Sequence, residues 1–434
     1  MAKTFRPWDV DQAWLLPASI HDFVPPEHPA HLVRDVVRGE LDLAAIVSAY
    51  EEERGQPPYH PAMMVALLLY AYSRGVYSSR QIARGCEERL DFQAVTALNR
   101  PDFRTISDFR KRHLPALADL FKQVLRLCRR AGLVGFGHVA LDGTKIKANA
   151  SKHKAMSYGR MVEAEDELAG EIAAWLERAA AADAAEDAEH GDDRRGDEVP
   201  DWMREKQKRL ERIRAAKGEL EAEAKAAAEA KAAEPQRYRG GRKPKHPPGI
   251  PKPRAQRNFT DPDSQIMIGR DGFIQAYNAQ AAVDGHRQII LAHRLSNNPD
   301  DHAALVPLVD GVTANTGRKP TEISGDAGFC SEANLTELGA RNIRAYLATG
   351  RAGHPAGSAV KPKGGPLVQA MRAKLKRAGY RSRYRLRKQI VEPVFGQIKQ
   401  ARGFRQFLLR GINKVAAEWA LVCTAHNLSK LITA

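Results

Sequence analysis

The hydrophobic pattern changes period twice along this chain. Through residue 131 apolar positions recur at helical spacing, with short loops between the runs. HPAMMVALLLYAYSRG starts with Pro61 in a first helical turn and stops at Gly75. Ser78 or Ser79 then caps SSRQIARGCEERL, and Thr105 opens a long helix, TISDFRKRHLPALADLFKQVLRLCRRAG. A buried helix, a turn and a second helix carrying Arg80, Gln81, Arg84 and Arg89 suit a helix-turn-helix that reads DNA. They also suit an ordinary helical bundle whose arginines face water and whose task is dimerisation.

From Gly135 the period drops to two. Val139 and Leu141 predict a strand ending at Asp142 with Gly143 next, which sets a carboxylate at the open edge of a sheet. The same Asp-Gly pair also suits a hairpin turn. The alternation then breaks off. Met161 to Pro200 holds fourteen acids against three bases. Within it EDELAGEIAAWLER predicts helix and AEDAEHGDDRRGDEVP a loop. DWMREKQKRLERIRAAKGELEAEAKAAAEAKAAE is strongly helical, with Glu221 four residues before Lys225. This is a helical hairpin inserted into another domain. Its tail, Gln236 to Asn258, has eight bases, no acids and many prolines, as an extended basic linker does.

Alternation resumes at Gly272 to Ser296, two β-rich runs joined at Asp284-Gly285. Asp300 caps DDHAALVPLVDGV. TEISGDAGFCSEANLTELGA then predicts a strand ending at Asp326, a glycine turn and a helix capped by Ser331, and Arg344 to Thr349 adds a strand. Asp326 repeats the placement of Asp142, whereas Asp284, Asp300 and Asp301 read as turn and cap residues. Residues 351–366 form a Gly/Pro/Lys-rich linker, and LLRGINKVAAEWALVCTAHNLSKLITA closes as an amphipathic helix. A hairpin first and strand-helix-strand afterwards are compatible with an α/β sheet of the ribonuclease-H kind. The expected units are a helical domain for DNA binding or dimerisation (1–134), the first part of a catalytic domain (135–156), the insertion with its linker (157–260), the rest of the catalytic domain (261–410) and a C-terminal helix (411–434).

Charge changes this picture most. The 434 residues carry a net +16, which points to nucleic acid or an anionic surface. The longest apolar run, Ala62 to Tyr72, is eleven residues, too short to cross a bilayer, and the N-terminus lacks a secretory leader's apolar core. Four dispersed cysteines without a CxxC pair read as reduced thiols of a cytoplasmic protein. Ala370 to Arg410 holds thirteen Lys/Arg and one acid, Glu392. A lone carboxylate there is either a local salt bridge or a metal ligand inside a groove for a polyanion. With Asp142 and Asp326 as partners, the second reading gives a site in which carboxylates and substrate phosphate hold Mg²⁺. Pro393 fits a first helical turn, so the helix is expected to begin near Glu392, with Lys399 two turns on and on the same side.

Asp142 in LDGTKIKANAS, Asp326 in GDAGF and Glu392 in VEPVFGQIK resemble the three acids of bacterial insertion-sequence DDE transposases, the insertion-sequence 1182-like group in particular. PPYHPAMMVALLLYAYSRGVYSSRQI, RNFTDPDSQIM, GFIQAYNAQAAVD and RGFRQFLLRG extend the likeness over nearly all of the chain. Glu392 and Lys399 match the family's Glu-six residues-Lys spacing. The family's Tyr and Arg, seven and four before the Glu, fall here on Arg385 and Lys388, with Tyr384 and Arg387 one residue further back. The resemblance implies that Asp142, Asp326 and Glu392 hold two Mg²⁺, with Mn²⁺ able to substitute. Double-stranded DNA (terminal inverted repeats and target) is the implied partner. Its expected contacts are Tyr384, Arg387, Lys388, Lys399 and Arg402, with Arg80 and Arg84 from the helical region. It further implies a homodimer or larger assembly on DNA, in the cytoplasm at the nucleoid. A nuclease that cuts without joining and a DNA-binding regulator derived from a transposase stand as alternatives.

Overall fold

Strand β1 (His138–Lys147) is apolar and buried over its first half, and the sheet is built outward from it. The computed structural model describes residues 24–50, 58–190, 201–233, 246–269, 272–350 and 364–433. β5 (Gly272–Asp284) runs antiparallel to β1, with Asp142 opposite Ala281, and β6 (Ile290–Ser296) antiparallel to β5. On its other side β1 pairs in parallel with β7 (Glu322–Gly325), which pairs in parallel with β8 (Arg344–Leu347). The order β6-β5-β1-β7-β8 is completed by β4 (Gln265–Gly269), which pairs with the first half of β5. The expected hairpin at Asp284-Gly285 is present, and the chain is mixed α/β.

Asp142 does not end its strand. β1 continues to Lys147 because Gly143 to Lys147 keep their pairing with Gln280 to Ala276. The Asp-Gly pair makes no turn. Gly143 is there for closeness: a Cβ on it would stand 2.9 Å from both Asn278 Oδ1 and Asp301 Oδ1. The pairing of β1 with β7 stops at Ala140, so Asp142 lies where β1 outruns its parallel neighbour.

Among the described residues seven helices precede the sheet: α1 (Pro29–Gly39), α2 (Ala44–Val47), α3 (Pro61–Ser73), α4 (Ser79–Glu88), α5 (Leu90–Thr96), α6 (Phe103–Arg112) and α7 (Leu114–Arg130). The long helix expected from Thr105 is two, because Pro115 lacks the N–H and the room that an uninterrupted helix needs. Asp102, not Thr105, caps α6, accepting from Arg104 N and Thr105 N. α3 is apolar on every side and buried from Met64 to Tyr72, as a central helix must be. Leu67, Leu68 and Leu69 are fully buried, each contributing about 1.5–3 kcal/mol. The last helix, α14 (Ile412–Ile432), packs on α3, α7 and β6, so one continuous core joins the helical region to the sheet. Asn427 fastens it, donating to Ile290 O and accepting from Ile290 N, both at 2.8 Å.

Between β1 and β4 the chain makes a separate body. α8 (Tyr158–His190) and α9 (Asp201–Ala233) lie antiparallel around their own small core of Met161, Leu168, Ile172, Met203, Leu210 and Ile213. β2 (Ala155–Ser157) and β3 (Gln256–Asn258) pair at its base. α8 runs on to His190, so the acidic loop expected from Ala185 starts later, since Ala and Glu sustain a helix. Residues 191–200 of that loop, 236–245 of the basic linker, 351–363 of the Gly/Pro/Lys-rich linker and the N-terminal 1–23 lie outside the described residues. α10 (Leu305–Thr316) and α11 (Glu332–Ala340) flank β7 along the chain, and α12 (Pro366–Ala378) and α13 (Leu386–Gly396) come after β8.

Candidate active site

The edge of the sheet beyond β7 collects four carboxylates from distant parts of the chain. Asp142 comes from mid-β1 and is 8% exposed. Asp326 follows β7 and caps the short turn Ala327–Phe329, accepting from Gly328 N at 2.9 Å. A Cβ on Gly328 would stand 3.1 Å from Asp326 Oδ1 and 3.4 Å from Asp301 Oδ2, so Asp301 shares this corner. Glu392 projects from α13 and is about half exposed.

Arg387 ties the set together. Its guanidinium donates to Asp142 Oδ2 at 2.9 Å and to Glu392 Oε1 at 3.2 Å. α13 begins at Leu386 rather than at Glu392, which is what brings Arg387 onto the site. Pro393 therefore sits inside the helix. The carbonyl it would have served, Gln389 O, accepts instead from Gln288 Nε2 at 2.9 Å, and a π-turn follows at Gln397–Ala401. That wider turn sends Lys399 to β1, where Nζ donates to Thr144 Oγ1 at 2.9 Å and Lys145 O at 3.2 Å.

Burial dominates the electrostatics. It pushes the Asp142 carboxyl up to about 6 against the pull of Arg387, with Asp326 adding to the rise. Asp326 is raised by burial first and then by Asp301. Desolvated acids raised further by a neighbouring carboxylate call for a cation, and here a guanidinium bridges Asp142 and Glu392. Arg387 Nε, Asn278 Oδ1 and Gln280 Oε1 are buried without a hydrogen-bond partner among the described residues. As the side chains stand, no group of three or more His, Cys, Asp or Glu among the described residues converges tightly enough to hold a metal.

The other expected contacts divide. Lys388 is exposed on α13 and Tyr384 is half-buried in the turn before it. Arg402 faces inward, its guanidinium 3.3 Å from His426 Nδ1, and takes no part in this edge. Arg80 lies over the Phe103 ring at 5.0 Å and Arg84 pairs with Glu88 at 2.8 Å, both on α4 and away from the carboxylates. Asp301, read as a cap, is instead a buried member of the corner, accepting from Asn278 Nδ2 at 2.7 Å and from Gln280 Nε2. Its signal was Asn278 and Gln280, two amides one alternation apart in a strand that becomes buried, which need a buried polar partner.

Residues 18–112 match the family described as a transposase domain (DUF772), and residues 350–432 match a transposase DDE domain. The first match carries Arg80 and Arg84, and the second carries Glu392 with Arg387 and Lys399; Asp142 and Asp326 lie between them. No curated protein and no solved structure gives a significant match. No described helix is long and apolar enough to cross a membrane. A transposase domain matched ahead of the sheet and a DDE domain matched over its last carboxylate together support an insertion-sequence DDE transposase.

Proposed function

We propose that this transposase, of the insertion-sequence 1182-like group, cuts DNA at the terminal inverted repeats of its element and joins the freed 3′ hydroxyl to target DNA. The observation that carries the reading is the gathering of Asp142, Asp326 and Glu392 around Arg387 at one sheet edge. An antiparallel β6-β5-β1 half followed by parallel β7 and β8 supports a ribonuclease-H-like catalytic domain.

The donor set is all hard oxygen, so its chemistry fits the divalent ions that DDE domains generally use, once Arg387 gives up the Asp142 and Glu392 oxygens it now bridges and the side chains draw together. Asp142, Asp326 and Glu392 would hold two Mg²⁺, or Mn²⁺ in its place. Bound there, such ions would supply activation of the attacking oxygen and stabilisation of the leaving one. The remaining steps fall to the chain. Arg387, drawn from Asp142 toward a phosphate, offers a planar fork that suits it. Lys399 keeps one of its three donors free beside Thr144. Lys388 and Tyr384 flank the same path, Arg80 and Arg84 contact the terminal repeat, and a homodimer or larger assembly holds paired ends. Asp301, with Asn278 and Gln280, sets the position of the Asp326 turn.

Asp142→Ala, Asp326→Ala and Glu392→Ala are each expected to abolish Mg²⁺-dependent cleavage of terminal-repeat duplex while DNA binding persists. Near wild-type cleavage by any one removes that residue from the site. Cleavage without strand transfer would make the chain a nuclease, and binding without cleavage a regulator.

A further inference from the structure

The inserted helical pair carries a basic cleft that none of the roles above uses. It has a volume of about 590 Å³ and lies between α9, the start of α8 and the β2–β3 ribbon. Lys154, Arg160, Lys208, Arg209 and Arg212 line it with His153, against one acid, Glu205. Met156, Ile213 and Phe259 add an apolar floor.

Several cations of α9 outside the cleft are neutralised by acids of α8, and those of the cleft are not. Elsewhere on the helix Lys206 pairs with Glu171 at 2.6 Å, and Arg214 and Lys217 both reach Glu165, at 2.9 and 2.8 Å. The five Lys/Arg of the cleft are exposed and have no ion pair or side-chain hydrogen bond among the described residues. Lys208 and Arg212 stand one turn apart on α9 with Arg209 beside them, like charges kept together at a cost. A polyanion relieves that cost by releasing counterions.

We infer that this cleft binds the phosphate backbone of DNA outside the stretch being cut. The inference rests on the transposase reading for its choice of polyanion. A single small anion suits the cleft less well: its cations come from α8, α9 and the turn Lys152–Lys154, whereas small-ligand pockets are mostly apolar with a few convergent polar groups. Contacts of this kind hold DNA in register and carry no sequence information. The turn Lys152–Lys154 follows β1 closely, so DNA held in the cleft is tied to the strand that carries Asp142.

The test uses the full chain and a labelled terminal-repeat duplex, with affinity measured over a range of salt. Lys208→Ala/Arg209→Ala/Arg212→Ala is expected to weaken binding about 10- to 100-fold near physiological salt. The log–log salt slope should fall by about 0.9 for each phosphate left without its cation. Lys206→Ala/Arg214→Ala/Lys217→Ala, which removes the same charge from the paired side, should change affinity less than about 3-fold. Melting curves of both variants guard against misfolding, and Lys208→Arg/Arg209→Lys/Arg212→Lys should restore binding. Equal losses from both triple-alanine variants would overturn the cleft in favour of a general charge effect. So would unchanged affinity in the first variant, or saturable pyrophosphate binding by the cleft with DNA affinity intact. If the wild-type chain binds no DNA, the transposase reading falls and takes this one with it. If wild type binds and cuts while the cleft variant matches it, the cleft alone falls.

Discussion

Asp142 shows at the scale of one residue how the site is held against the stability of the fold. Its folded carboxyl titrates near 6 against an ordinary 3.8, so the folded state binds the proton more tightly than the unfolded one. Stability therefore falls as pH rises through that window, and the full cost above it is about 3 kcal/mol. Asp142→Asn is expected to raise the melting temperature near pH 7.5 and to leave it unchanged near pH 3.5. Equal melting of variant and wild type at both pH values would show that burial of this charge costs nothing. Arg387 tempers the same cost, bridging Asp142 and Glu392. A divalent ion would compete with its guanidinium for those oxygens. Arg387→Ala should bind Mn²⁺ several-fold more tightly in the free protein, read by calorimetry, while cleavage of terminal-repeat DNA falls. Unaltered Mn²⁺ affinity would mean that Arg387 and the ion do not share ligands. The three acids stood out in the sequence as candidates because each was an anomaly, two beside glycines after apolar runs and one alone among cations. Asp301 was not, because beside Asp300 it looks like a cap, and its role comes from amides on a strand more than twenty residues earlier.

Among the elements, α13 departs most from its sequence expectation. Pro393 predicted a helix start, but the helix begins at Leu386 because Gln288 supplies the donor that Gln389 O lacks. Nothing local to Pro393 announces Gln288. The π-turn that follows then decides where Lys399 points, which seven-residue spacing on a regular helix could not. Lys399→Ala removes two hydrogen bonds to β1 and is expected to cost about 1–2 kcal/mol of stability. Joining should also slow, since the lysine flanks the strand that bears Asp142. Melting and strand transfer both at wild-type level would show that the lysine serves neither purpose.

Over the whole molecule, two cores behave differently. The main one runs from the N-terminal helices through α14 into the sheet, whereas the inserted pair closes on itself. Replacing 161–234 with a short flexible linker should therefore leave a soluble protein with a cooperative melt near the wild-type temperature. Global unfolding of that variant would mean that the sheet depends on the insertion. The fragment 1–134 should by contrast lack fixed tertiary packing by near-ultraviolet dichroism, because its α3 and α7 pack on α14.

Period and charge in the sequence were enough for the helical region, the mixed sheet and the inserted helices, and they picked out the three acids as candidates. These follow from local preference and from chemical oddity at single positions, which need no knowledge of neighbours. The continuation of β1 through Asp142, the broken helix before the sheet, the fourth carboxylate and the unpaired cations of the inserted cleft were decided by tertiary structure. Each depends on which distant side chain meets a given atom. Gly143 admits Asn278 and Asp301, Gln288 rescues Gln389, and Glu165 takes two cations of α9 while Lys208, Arg209 and Arg212 are left without a partner among the described residues.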